Sequence, residues 1–161
     1  MAQQEIDFVV AAYREDGAWQ VQSLPPHSAD DMDGLIRSLR PLPSEGGTLG
    51  LVSVAEDFFL LVRVLGSQVR LMLSDGTAAS EWPLASEVIA MLGDGDQADD
   101  DDDAQPVGDL EIVADLGVSG MDIAVLCDDA DRYPDEILLD IAGQLGFRAQ
   151  FEGAAMDGAS V

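Results

Sequence analysis

The residues of this sequence with the chemistry for catalysis or binding are one histidine, one cysteine, seven arginines and many carboxylates. His27 follows two prolines in a predicted loop, where a lone imidazole is more often ordinary surface than a general base. Cys127 lies in an apolar helical pattern followed by aspartates, and acidic neighbours raise the pKa of a thiol. One Cys and one His cannot form a Cys/His-rich zinc site within one chain. We therefore expect no metal, no other cofactor and no catalytic residue.

The sequence motifs of the common catalytic folds are missing as well. The chain has no Gly-Lys-Ser/Thr phosphate loop, no Gly-X-Ser-X-Gly nucleophile turn and no glycine-rich strand-to-helix loop. Carboxylates are abundant, but in so acidic a chain their proximity in sequence selects no acid–base pair. The sequence therefore predicts a protein that is not an enzyme.

Charge is the strongest compositional signal. The chain has 32 acidic side chains, seven arginines and no lysine, and its formal net charge is −25. A field of this sign repels nucleic-acid phosphates and anionic membranes, so we expect neither as a direct partner. A basic protein is the complementary partner. The alternative is that the charge only keeps the protein soluble.

The C-terminal helical segment is the most acidic part of the chain that is predicted to fold, and its carboxylates are concentrated between its second and third helices. The net charge is −8 over residues 1–92, −7 over 93–106 and −10 over 107–161. We predict that an acidic junction with one aromatic anchor binds a basic, RNA-handling protein, and its residues are Asp128, Asp129, Asp131, Tyr133, Asp135 and Glu136. The alternative interpretation is a solvated helix junction.

Residues 93–106 contain seven aspartates and no aromatic or branched residue. Such a segment buries too little apolar surface to fold, so it predicts a disordered, self-repelling linker. A calcium loop is excluded because the sixth and twelfth positions counted from Asp94 are Asp99 and Gln105 instead of glycine and glutamate. A second functional hypothesis is a nucleic-acid mimic, in which the linker and the acidic tail block a basic groove.

Two arginines are predicted to face each other on neighbouring strands. If Gly66-Ser67 is a two-residue turn, Arg63 lies opposite Arg70, and like charges across a ladder are unfavourable unless they are neutralised. One interpretation is a site for a small anionic ligand, and it gives a third hypothesis, an enzyme or binder. The other interpretation is a structural row in which Glu81 on a further strand neutralises the arginines.

An antiparallel sheet is predicted to position these residues. Asp16-Gly17 is a type I′ turn signal that places Arg14 opposite Trp19 in an N-terminal hairpin. The hairpin residues expected on one face are Ile6, Phe8, Val10, Trp19 and Val21. A four-strand meander follows, with these residues expected on one face: Leu49, Leu51, Leu60, Val62, Val64, Val69, Leu71, Leu73, Ala78 and Trp82.

Helices are predicted to cover this sheet. Ser28 is the predicted N-cap of a helix with an apolar stripe of Met32, Leu35, Ile36 and Leu39. Pro83 begins a second helix that Gly93 ends, and three short helices are expected at residues 109–116, 119–128 and 134–145. Such short helices are marginal alone, so their apolar residues must pack on each other, on the sheet or on another protein.

The predicted fold class is α+β, an N-terminal hairpin plus meander covered by helices, with an acidic linker to a short helical C-terminal segment. The predicted units are an α+β domain (ββαββββα) over residues 5–92, the disordered linker over 93–106, the helical segment over 107–151 and a disordered tail over 152–161. We expect a cytoplasmic protein, because no stretch approaches the roughly 20 apolar residues of a membrane span. A single cysteine agrees with a reducing compartment.

Three segments resemble a known family. They are Asp7-Phe8-Val9-Val10-Ala11-Ala12-Tyr13-Arg14-Glu15-Asp16-Gly17, Asp115-Leu116-Gly117-Val118-Ser119-Gly120-Met121-Asp122 and Leu126-Cys127-Asp128-Asp129-Ala130-Asp131-Arg132-Tyr133-Pro134-Asp135-Glu136. They are similar to the tRNA adenosine deaminase-associated proteins of actinobacteria, over about residues 6–151 outside the linker. The lysine-free, Ala/Asp/Gly-rich composition suits a high-GC genome.

The resemblance implies association with the enzyme that converts the wobble adenosine of tRNA to inosine. It implies no catalytic residue. That deaminase needs zinc held by a His-X-Glu and Pro-Cys-X-X-Cys pattern, and this chain has neither pattern. The leading hypothesis is therefore a non-catalytic accessory protein that binds a basic partner, with the tRNA adenosine deaminase as the candidate.

Overall fold

The computed structural model describes residues 6–24, 31–40, 47–54, 58–65, 68–75, 82–92, 106–128 and 133–159. Within them an antiparallel sheet has the order β2-β1-β3-β4-β5-β6. The strands are β1 (Ile6–Glu15), β2 (Ala18–Leu24), β3 (Thr48–Val54), β4 (Phe58–Leu65), β5 (Gln68–Leu73) and β6 (Val107–Gly108). Helices α1 (Met32–Leu39) and α2 (Pro83–Leu92) cover one face, and α3 (Gly120–Cys127), α4 (Pro134–Leu145) and α5 (Arg148–Ala159) cover the other. The predicted α+β fold class is confirmed.

The N-terminal hairpin has the predicted turn and register. Asp16 and Gly17 have φ angles of 56° and 79°, the two positive values that a type I′ turn requires. Arg14 pairs with Trp19, as expected from a two-residue loop. The guanidinium of Arg14 also lies 5.4 Å from the centre of the Trp19 ring.

Two predicted faces are wrong. The register of β1 against β3 shifts between Ile6 and Phe8, so Ile6 packs under α1 and α2 while Phe8 packs under α5. Leu49 and Leu51 also lie on the α4 and α5 side, because Leu51 pairs with Leu61. The connection after β3 spans residues 55–57, one residue more than predicted, and a one-residue slip turns every side chain of a strand to the opposite face.

The register of β4 against β5 is confirmed, with Val62 opposite Leu71 and Arg63 opposite Arg70. At Leu73 the other edge of β5 pairs with Val107 of β6, which comes from beyond the acidic segment. The predicted fourth strand of the meander, with Ala78 and Glu81, falls on residues 76–81, which lie outside the described part of the chain.

The first helix covers the sheet as its apolar pattern predicts. Its whole predicted stripe is buried: Met32, Leu35, Ile36 and Leu39. The N-cap is Asp31, whose Oδ1 accepts a hydrogen bond from the Gly34 N–H at 2.6 Å. Ser28, the predicted cap, lies outside the described residues. Gly50 on β3 allows α1 to approach closely, because a Cβ there would lie 2.9 Å from Leu39 Cδ1.

The C-terminal segment packs on the opposite face of the sheet. Helices α3 and α4 closely match the predicted ranges, but residues 109–116 form turns and a 3₁₀ helix (Ala114–Leu116) instead of an α-helix. Phe8 and Phe151 make an edge-to-face contact at 5.6 Å between ring centres. Trp19 Nε1 donates a hydrogen bond to the Leu145 carbonyl oxygen at 3.1 Å. These contacts tie the N-terminal hairpin to α4 and α5.

Candidate functional site

Arg63 holds the chain after β6 against the sheet. Its side chain projects from β4 and is only 6% exposed, and Nη1 donates a hydrogen bond to the Ile112 carbonyl oxygen at 2.9 Å. Nη1 and Nη2 also bind the two carboxylate oxygens of Asp115, at 2.5 and 2.9 Å. This is the two-pronged geometry in which a guanidinium binds a carboxylate most strongly.

Arg70 makes a parallel set of bonds one strand away. Its Nε donates to Asp109 Oδ2 at 2.6 Å, and its Nη2 donates to the Glu111 carbonyl oxygen at 3.1 Å. We call Arg63, Arg70, Asp109 and Asp115 the arginine clamp. The two guanidinium groups, for which an anion site was one of two interpretations, bind carboxylates of their own chain. Glu81, the counter-ion expected from sequence, lies outside the described residues.

The clamp affects the titration of its more exposed carboxylate. The hydrogen bond from Arg63 lowers the pKa of Asp115, although partial burial of the carboxylate acts in the opposite direction. Asp115 is therefore ionised in the folded protein at neutral pH.

The clamped segment positions the start of α3. Glu111 lies between the two clamped aspartates, and its Oε2 accepts a hydrogen bond from the Gly120 N–H at 3.1 Å. A Cβ at position 120 would collide with this carboxylate. Ser119 is the N-cap of α3, and its Oγ accepts a hydrogen bond from the Asp122 N–H at 3.2 Å. The orientation of α3 on the protein therefore depends on the clamp.

Helix α3 presents two large apolar side chains to solvent. Met121 is 77% exposed and Val125 is 66% exposed, while Ile123 on the inner side is fully buried. Met121 and Val125 are four residues apart, so they lie next to each other on the same helix face. The sequence pattern places them among the residues that must pack somewhere, and the structure leaves them without cover from the described residues.

The acidic junction follows this apolar pair along the chain, from the end of α3 to the first turn of α4. Asp128 is the C-cap of α3, and Tyr133, 55% exposed, is the N-cap of α4. Asp135 and Glu136 are exposed in the first turn of α4, where Glu136 Oε1 accepts a hydrogen bond from the Tyr133 N–H at 3.3 Å. Asp129 and Asp131 lie outside the described residues.

The described residues of this region form one candidate interaction surface. We call it the junction surface, and its members are Met121, Asp122, Val125, Asp128, Tyr133, Asp135 and Glu136. It combines an apolar pair with surrounding carboxylates, the chemistry of a protein interface with an acidic rim. Sequence analysis proposed Asp128, Tyr133, Asp135 and Glu136 as partner-binding residues but not Asp122. It expected Met121 and Val125 to pack on other helices, on the sheet or on another protein. The available signal for their exposure was their spacing of four residues, which places both on one face of α3. Ile123, which is buried, lies on the opposite face.

The remaining candidates for chemistry do not form a reactive site in the described part of the chain. Burial raises the pKa of the Cys127 thiol to about 12, so the thiol is protonated at neutral pH. No group of three or more His, Cys, Asp or Glu side chains among the described residues is arranged to hold a metal ion. His27 lies outside them. None of the described helices is long and apolar enough to cross a membrane.

Comparisons with known proteins identify the family. No solved structure matches the chain. Protein Rv3753c of Mycobacterium tuberculosis (strain ATCC 25618 / H37Rv) is 37% identical over 145 residues, which cover 89% of this chain and 84% of that protein. The family profile described as Rv3753c-like tRNA adenosine deaminase-associated protein matches residues 7–148, which include the arginine clamp and the whole junction surface. The chain belongs to this Rv3753c-like, tRNA adenosine deaminase-associated family.

Proposed function

We propose that this protein is a non-catalytic accessory protein whose junction surface binds a basic, RNA-handling protein. The candidate partner is the tRNA adenosine deaminase, because the family name links these proteins to that enzyme. The observation that carries the proposal is the exposure of Met121 and Val125 beside the carboxylates of α3 and α4. Exposed apolar side chains grouped on one helix face and bordered by charge are typical of protein-binding sites.

The apolar pair supplies the short-range part of the interaction. Fully burying a methionine or valine side chain contributes about 1.5–3 kcal/mol relative to leaving it exposed. Tyr133 adds an aromatic side chain that can bury its ring and keep its hydroxyl in water. These three side chains are the expected energetic centre of the contact.

The carboxylates supply the long-range part. A chain of net charge −25 attracts a basic surface before contact, and the acidic rim orients that surface on the apolar pair. Attraction of this kind raises the association rate and weakens as salt screens it. The same field disfavours direct binding of tRNA, so the accessory role acts through the protein partner.

A titration of the purified deaminase with this protein tests the proposal. The apolar test variant is Met121→Ser with Val125→Ser, and the acidic test variant is Asp122→Asn with Asp128→Asn. The matched control is Glu15→Gln with Glu152→Gln, which removes the same two charges from exposed positions on other elements. Calorimetry or fluorescence anisotropy at low and moderate salt gives the dissociation constants.

We expect the apolar variant to weaken binding by at least about tenfold at both salt concentrations. The acidic variant should weaken binding mainly at low salt, by about threefold to tenfold, and the control should have little effect. Absence of binding at tens of micromolar, or equal effects of test and control variants, would contradict the proposal. Loss of binding only when residues 99–103 are replaced with Ser and Gly would instead assign the activity to a nucleic-acid mimic.

A further inference from the structure

Strand β2 forms one edge of the sheet and has a free side in the described part of the chain. In a two-residue hairpin the residues that flank the turn, here Glu15 and Ala18, exchange hydrogen bonds with each other. Alternate residues of β2 then bond to β1. The residues between them, Trp19, Val21 and Ser23, direct their N–H and C=O groups outward. No described strand pairs with this edge.

This edge lacks the devices that normally prevent strands from pairing with other chains. Natural edge strands carry charged residues, prolines or bulges, or they are very short. Strand β2 has seven residues without a charge or a proline, and it pairs with β1 without interruption from Ala18 to Leu24. Its exposed side chains include Gln20 and Gln22, which are neutral hydrogen-bonding groups. In a chain with 32 acidic residues, this uncharged edge is a distinct surface.

We infer that β2 pairs antiparallel with β2 of a second copy of this chain, which makes a continuous sheet across a two-fold axis. The register that satisfies the outward groups places Val21 opposite Val21 of the second copy and Trp19 opposite its Ser23. Every outward N–H and C=O of the strand then has a partner. The same register places Gln20 beside Gln22 of the second copy on one face, where the two amides hydrogen-bond to each other.

Charge favours a second copy at this edge over the acidic surfaces of the described residues. Two copies of net charge −25 repel each other, so their contact is least costly where neither contributes a carboxylate. Strand β2 meets that condition and the junction surface does not. Self-association should therefore strengthen as salt screens the remaining repulsion. Binding of a basic partner through the junction surface has the opposite salt dependence, so the two interactions are distinguishable.

Two double variants of the same exposed side chains test the proposed register. Gln20→Glu with Gln22→Glu places like charges opposite each other across the two-fold axis. Gln20→Arg with Gln22→Glu places opposite charges there instead. Both side chains are exposed, so both variants should fold like the original protein. Sedimentation equilibrium over a range of protein and salt concentrations gives the dimer dissociation constant.

We expect a dimer that strengthens with salt and that the Glu/Glu variant weakens by about tenfold, while the Arg/Glu variant forms it at least as well. Hydrogen exchange supplies a second readout, because the amides of Trp19, Val21 and Ser23 should gain protection as protein concentration rises. A monomer at all concentrations overturns the inference, and so does a dimer equally stable in both variants. Protection of these amides only after a basic partner is added assigns the edge to that partner and also overturns it.

Discussion

The arginine clamp and the junction surface both contain carboxylates of the C-terminal segment, but these carboxylates have different surroundings. In the clamp, Asp109 and Asp115 each bind a guanidinium on the sheet, and that contact attaches the segment to the core. In the junction surface, the carboxylates are exposed next to an exposed apolar pair. The two regions are connected by Glu111, which links the clamped turn to the first residue of α3.

The two regions differ because the sheet places a buried arginine, Arg63, beneath the clamp. Arg63 is 5% exposed as a residue, and a buried cation requires a counter-ion because water cannot solvate it. A carboxylate that neutralises a buried arginine therefore contributes to the stability of the fold. A carboxylate on an exposed turn, such as that of Asp122, Asp128 or Asp135, meets no such requirement and faces solvent. Composition alone therefore does not distinguish structural acids from binding acids in this chain.

The largest expected effect is the loss of protein stability when Asp115 is removed from the clamp. Replacing Asp115 with alanine leaves the Arg63 guanidinium buried without that carboxylate, and we expect a loss of about 2–3 kcal/mol in the free energy of unfolding. The value lies below that of a fully buried pair because the Asp115 side chain is 60% exposed. Urea unfolding followed by tryptophan fluorescence measures the change.

The same replacement at Asp109 is the matched comparison. Both side chains of the Arg70–Asp109 pair are more than one-third exposed, so Asp109→Ala should cost about 1 kcal/mol. A larger loss for Asp109→Ala than for Asp115→Ala would show that burial of the arginine does not set the strength of the clamp.

The next effect is the pH dependence of stability that Asp115 contributes. Because the pKa of Asp115 is lower in the folded protein than its ordinary value of 3.8, its contribution to stability is present at neutral pH. This contribution should disappear as the pH falls through the folded-state pKa. The stability difference between the protein and its Asp115→Asn variant should therefore be full at pH 6 to 7 and decrease below about pH 4. A constant difference across this range would contradict the assignment.

The parts of the fold that were predicted correctly depend on short turns. Asp16-Gly17 specifies the β1–β2 register because a two-residue turn determines which residues face each other. The same argument across residues 66–67 placed Arg63 opposite Arg70 correctly. The turn argument failed for β3, because the connection from β3 to β4 has three residues instead of two. The predicted face of Ile6 was wrong because a bulge leaves no signature in the alternation of apolar residues.

The candidate site was harder to predict because its contacts are distant in sequence. The like-charged arginine pair correctly indicated a need for neutralising groups, but Asp115 is 52 residues from Arg63, and no local rule selects it. The exposure of Met121 depends on which side of α3 faces the sheet. That orientation is determined by Glu111, Ile123 and the clamp together, and helical periodicity alone does not specify it.

The smallest expected effect is the stability change caused by Met121→Ser with Val125→Ser. Both side chains are largely exposed, so the free energy of unfolding should change by less than about 0.5 kcal/mol. Cys127 reports whether α3 remains docked, because burial raises its thiol pKa to about 12 and should keep thiol labelling slow at pH 8. Labelling with a maleimide should therefore be as slow in this variant as in the original protein, and fast for both in urea. A large loss of stability or rapid labelling of the folded variant would mean that Met121 and Val125 hold α3 in place. The apolar pair would then belong with the clamp, as a folding contact instead of a binding surface.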